Sequence, residues 1–217
     1  LLKFLEKIRK MNDLLLPIFY LPNISWFSKF LKEDYNVFFE KWENFPKQTY
    51  RNRTYIYGAN GKLPLIIPIK HTGDRLYKNL KISYSENWQK LHWKSIKIAY
   101  QSSPFFEFYE NDLQKIYLYD IENLMEFNLN SLEIVFNILK CKKKIYFTDK
   151  YDKGITKMKD YRDFFSTKKQ YNEIKIKEYY QVFSDKLGFF ADLSIVDLIC
   201  NLGPESLGYI KEHSNLF

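Results

Sequence analysis

The 217-residue chain is 46% hydrophobic and 28% charged, which excludes wholesale disorder and makes one folded domain the default. Its formal net charge of +8 favours anionic partners, but the charge is uneven. Residues 140–177 hold thirteen basic and five acidic side chains, residues 1–10 are also basic, and the remainder is slightly acidic.

Residues 1–10 precede Met11 and are expected to be a non-native or disordered extension, with 11–217 as a single domain. The run LLLPIFYLP is too short to span a bilayer and lacks a small-residue cleavage site. Cys141 and Cys200 supply neither a disulfide framework nor metal-ligand spacing, so a reduced, cytoplasmic protein is expected.

In chain order, residues 13–21 read as a buried strand that Pro22 ends. Asn23 is positioned to cap a helix over 24–32, with Trp26, Phe27 and Phe30 on one face. Residues 36–42 alternate as a second strand, and this β-α-β opening predicts an α/β sheet. Residues 49–57 and 62–69 read as two strands joined at GANG, whose Asn60-Gly61 pair is a hairpin signal. Alternation along the first of these places Arg51, Arg53, Tyr55 and Tyr57 on one face.

From Asn87 the period becomes helical, with Trp88, His92, Ser95, Ile96 and Ala99 on a stripe and Tyr100 alongside. Ser103-Pro104 predicts the start of a helix running to about Leu118. Another helix carries Leu132, Val135, Phe136 and Leu139, followed by a short strand over 143–148. Residues 151–177 read as a basic loop region interrupted by a short helix or strand. Near the end, Ser194 and Asp197 form a capping-box pattern, Gly203 stops one helix and Pro204 starts the next. The expected fold is thus a single-domain α/β unit, with a β-α-β opening, a β-hairpin and a helical C-terminal half.

Several of these phrases resemble the WbqC-like protein family: Leu21-Pro22 followed by an aromatic helix, YRNR at 50–53, LIIPIKH, W-x-K-x-H at 88–92, AYQSSPFF at 99–106 and SIVDLICNLGP. The resemblance runs from about Leu15 to Tyr209 and is nearest to the branch of Bacteroidetes-type bacteria. Two departures are visible. Many relatives open with Gln-Pro where this chain has Leu16-Pro17, and a usual acidic position is Leu202. The family takes its name from an O-antigen gene cluster. The resemblance therefore implies a cytoplasmic protein of surface-polysaccharide building, modifying an amino sugar or a nucleotide-linked sugar.

The candidate substrate residues are Arg51, Asn52 and Arg53, because guanidinium forks match phosphate or carboxylate and Asn adds a neutral bond. A charged, protected edge strand accounts for the same residues without a ligand. Lys70 and His71 end the second hairpin strand, where His71 can serve as a general base. Trp88, Lys90, His92 and Tyr100 are candidates to line a pocket, with His92 as a second proton carrier, although a histidine on an apolar face is commonly a satisfied core residue. Neither a cofactor fingerprint nor a metal set is present in the sequence. The expected activity is acyl or aminoacyl transfer to a sugar, with an anionic small molecule such as a nucleotide sugar as partner. The alternatives are a nucleic-acid-binding module using 140–177 and a partner-binding scaffold without catalysis.

Overall fold

The computed structural model describes residues 12–154, 157–165, 167 and 176–214, so the extension expected at 1–10 lies outside the described residues. Strand β1 (Asn12–Pro17) carries Leu14, Leu15 and Leu16, all fully buried. Apolar residues on both faces are what a central parallel strand requires. It pairs in parallel with β2 (Tyr35–Glu40), placing Leu15 opposite Phe38. On its other side it pairs with β6 (Met158–Asp160), placing Leu15 opposite Asp160. β5 (Ile145–Phe147) lies in parallel outside β2, giving the order β5-β2-β1-β6.

The crossover from β1 to β2 is helix α1 (Ile24–Phe30), as the sequence predicts. Its aromatic face packs on the sheet and beyond, with Trp26 5.7 Å from Phe39 and Phe30 stacked 4.8 Å from Phe136. The Trp26 indole N–H donates to the Pro17 carbonyl at 2.9 Å, so the helix is fixed in rotation as well as depth. Asn23 does not cap α1 with its own side chain. Asp192 does so from the far end of the chain, accepting from the Ser25 amide at 2.8 Å and from Asn23 Nδ2 at 2.6 Å. β1 also stops at Pro17, four residues short of the predicted end. Residues 18–21 then leave the sheet, and Leu21 takes φ 40°.

The hairpin is β3 (Arg53–Gly58) and β4 (Gly61–Ile66), in which Gly58 faces Gly61 across Ala59 and Asn60. The positive φ falls on Gly61, at 112°, which only glycine adopts without strain. Residues 47–52 form turns rather than the start of the strand. Helix α2 (Trp88–Tyr100) is capped by Asn87, which accepts from the Lys90 amide. α3 (Phe106–Lys115) begins later than Ser103-Pro104 predicts. The Ser103 hydroxyl donates to the Tyr100 carbonyl at 2.6 Å and closes α2 instead of opening α3. α4 (Leu124–Ile138) follows, capped by Asn123.

The chain finishes with a single turn, α5 (Ser184–Leu187), then α6 (Ile195–Leu202), a short 3-10 turn and α7 (Ser206–Ser214). Ser194 caps α6 by accepting from the Val196 amide, and Gly203 ends it with φ 54°. Asp197 does not complete a capping box. It turns inward to accept from Gln181 Nε2 at 2.9 Å and from the Tyr179 hydroxyl at 2.5 Å. Among the described residues no helix is long and apolar enough to cross a membrane.

Candidate functional site at the carboxyl edge of the sheet

The strand order reverses between β1 and β6, because β2 and β5 lie on one side of β1 and β6 on the other. In parallel sheets, ligands bind outside the carboxyl ends of the strands at such a reversal. Here that edge holds a network of five charges, four of them buried and the fifth, Asp160, exposed. Glu40, the last residue of β2, is fully buried. Its Oε1 accepts from the Trp42 amide at 2.7 Å and the Thr148 hydroxyl at 3.0 Å, and its Oε2 from Arg162 at 3.2 Å. Arg162 also forks onto Asp160 at 2.6–3.1 Å and donates to the Asp152 carbonyl at 2.8 Å.

Beside this lies a second pair. Arg51 Nε and Nη2 reach the two oxygens of Glu43, both at 2.5 Å, with the guanidinium 5.5 Å from the Phe19 ring. Burial pushes the Glu43 carboxyl above its usual range, against the pull of Arg51. Burial also acts to raise Asp160, but the hydrogen bonds from Arg162 outweigh it and hold Asp160 below its usual range. The chain around Arg51 is locked too, since Asn128 Nδ2 donates to the Arg51 carbonyl at 2.6 Å.

Two cavities flank this network. One, of about 450 Å³, is lined by Phe38, Thr148, Asp149, Lys150, Asp152 and Lys157. The other, of about 590 Å³, is lined by Phe45, Lys47, Lys70, His71, Asp74 and Arg75 over an apolar floor of Ile69 and Leu80. Its wall is tied to the buried pair through the main chain. The Phe45 amide donates to Arg75 at 2.7 Å, and the Tyr77 amide donates to Glu43 at 2.9 Å. Asp74 is occupied in shaping the loop, accepting from the Leu76 amide and Asn79 Nδ2, bonds that hold its carboxyl below the usual range. The cavity therefore presents three cations, an imidazole and one committed carboxylate.

The residues singled out from sequence do not converge on one point. Arg51 precedes β3 and is spent on Glu43, so it does not share a strand face with Arg53. Asn52 is buried and donates to the Ile67 carbonyl at 3.0 Å. Arg53 is half-buried, and its Nε is buried without an acceptor among the described residues. Lys70 and His71 are exposed at the second cavity, with Lys70 3.8 Å from Glu122. Lys90 is exposed on α2.

Trp88 and His92 pack edge to face in the core, 5.1 Å apart, rather than at a cavity mouth. His92 Nδ1 lies 3.1 Å from the Tyr20 hydroxyl, itself 2.5 Å from the Tyr117 hydroxyl. Burial holds the imidazole down to about 4, so it stays neutral at neutral pH. Tyr100 is fully buried, and its hydroxyl accepts from the Tyr57 amide at 3.0 Å. Burial, and then the nearby Asp197 carboxylate, push its hydroxyl far above the usual range. Sequence reasoning missed Glu40, Glu43, Asp160 and Arg162. The available signal was the pair of acids at the end of an apolar strand, in VFFEKWE.

The sequence profile of the WbqC-like protein family matches residues 19–167. The chain belongs to that family. The matched stretch of this WbqC-like protein spans β2 and β5, the hairpin, the five-charge network and both cavities. Helices α6 and α7 lie beyond it. No curated protein and no protein of solved structure matches the chain.

Proposed function

We propose that this WbqC-like protein is a cytoplasmic group-transfer enzyme. It moves an acyl or aminoacyl group onto an amino sugar or nucleotide-linked sugar during the building of surface polysaccharide. The observation that carries this reading is the His71 cavity, whose lining combines an exposed imidazole with Lys47, Lys70 and Arg75. Family membership supports the substrate class, since the family is named from an O-antigen gene cluster.

The chemistry follows from those groups. Lys47, Lys70 and Arg75 hold the phosphate or carboxylate of the substrate, and Phe45 offers an aromatic face to its sugar or base. His71 accepts the proton of the acceptor amine or hydroxyl as that group attacks the acyl carbonyl of an activated ester or acyl phosphate. The cations stabilise the oxyanion that forms, and the imidazolium returns the proton as the leaving group departs. The buried Arg51–Glu43 pair acts through position alone, fixing the segment that carries Phe45.

Complementation of a surface-polysaccharide defect tests the reading. His71→Ala is expected to lower transfer by about 10²–10⁴-fold, the range of a lost general base, with an unchanged melting temperature. Arg75→Ala is expected to weaken binding of UDP-N-acetylglucosamine, used as a nucleotide-sugar probe, by about tenfold. Full complementation by both variants would remove the cavity from the reaction.

A further inference from the structure

A third cavity, of about 360 Å³, lies at the opposite, amino-terminal edge of the sheet, and its lining includes Lys140, Lys142, Lys143, Lys144, Lys211 and Tyr35. We propose that it binds a small polyphosphate of the pyrophosphate or nucleoside-diphosphate class. Five lysines line it, from the end of α4, the approach to β5 and α7. One lining carboxylate, Glu33, offsets them, and it stands 3.8 Å from Lys211. Like charges gathered in a concave site repel one another until an anion enters, which favours occupancy by a multiply charged ligand.

The backbone supplies an independent observation. Lys140 follows the last turn of α4 at φ 52°, a left-handed position that ordinarily takes glycine or asparagine. The Cys141 amide closes the helix on the Phe136 carbonyl at 2.9 Å, so the strained residue is held in place rather than frayed. A lysine here accepts a strained backbone position and sets a cation beside the cavity at the carboxyl end of α4. Neutralising the helix dipole can account for Lys140 itself, but not for Lys144 or Lys211, which come from other segments.

Lys143 adds a third point. Its ammonium donates to the Lys32 carbonyl, and burial, first among the causes, lowers it to about 8. A nucleic-acid strand fits less well, because Glu33 lines the cavity and Asp34 adjoins it in the chain, presenting negative charge to a continuing backbone.

Calorimetric titration with inorganic pyrophosphate at physiological salt tests the site. Lys142→Ala, Lys144→Ala and Lys211→Ala should each weaken binding about tenfold, the loss of one charge-assisted contact. Lys140→Gly should weaken binding while raising the melting temperature. His71→Ala should leave pyrophosphate affinity unchanged, which separates this site from the proposed transfer cavity. The proposal is overturned by unchanged affinity in the triple lysine variant, or by Lys140→Gly that binds normally. It is also overturned if the same lysines bind an RNA oligonucleotide in preference to pyrophosphate with a steep salt dependence, which would assign the surface to nucleic acid.

Discussion

Burial holds the His92 imidazole at about 4 in the folded protein, against 6.5 ordinarily, while it holds Asp197 at about 6, against 3.8. The two act in opposite senses. Between pH 6.5 and 4 the unfolded chain takes up a proton that buried His92 refuses, so stability falls as pH falls, by about 3 kcal/mol in all. Between pH 6 and 4 folded Asp197 takes up a proton that the unfolded chain takes only lower down, so stability rises as pH falls, by a comparable amount. The expected consequence is a wild-type profile flatter than either group alone would give. Asp197→Asn should be more stable than the parent at pH 7, by up to about 3 kcal/mol, and should lose that advantage on acidification to pH 4. Urea unfolding at unit pH steps measures this, and parallel profiles would refute it. A related residue-scale prediction concerns Arg51. Arg51→Met leaves Glu43 buried without its hydrogen-bonded counter-ion and should cost about 3–5 kcal/mol, whereas Arg51→Met with Glu43→Leu should recover most of the loss.

At the scale of elements, Gly203 joins α6 to the final helix at a point where two constraints coincide. Its φ is 54°, and a Cβ there would lie 2.4 Å from the Phe105 ring. Gly203→Ala is therefore expected to destabilise by about 1–3 kcal/mol, from overpacking added to backbone strain. Combining it with Phe105→Ala should remove the steric part and leave the strain, a coupling that thermal unfolding of the four-member cycle resolves. Elements with a strong local pattern were legible from sequence: β1 through its leucines, α1 through Trp26, Phe27 and Phe30, α4 through its repeat, and the hairpin through its glycines. β6 was legible only as a short helix or strand somewhere in 151–177, because Met-Lys-Asp is an edge strand with one partner and no apolar run. Residues 49–52 alternate like a strand yet form turns, because Arg51 bonds to Glu43 rather than standing beside Arg53. The candidate site divided in the same way. Lys70 and His71 were visible as chemistry at a loop, but Glu40 and Arg162 gain meaning only when parallel strands bring their carboxyl ends together across 122 residues.

At the scale of the whole molecule, the sheet is completed by a connection that leaves β5 at one edge and returns as β6 at the other. That path crosses β2 and β1 without a helix among its described residues, so few apolar contacts of its own hold it down. Arg162 supplies the missing attachment. Its guanidinium joins Glu40 at the end of β2, Asp160 at the end of β6 and the Asp152 carbonyl within the crossing segment. Its carbonyl also accepts from Arg51 at 3.4 Å, linking the network to the segment before the hairpin. Arg162→Ala would leave Glu40 fully buried without a cation and release the crossing segment together. The expected loss is about 3–5 kcal/mol in a single cooperative urea transition with an unchanged slope, because the sheet and the site unfold as one unit. Arg162→Lys should recover little, since one ammonium cannot replace the fork onto Asp160 and reach Glu40 as well. A loss below about 1 kcal/mol, or a separate early transition confined to the crossing segment, would show that the carboxyl edge is assembled without this arginine.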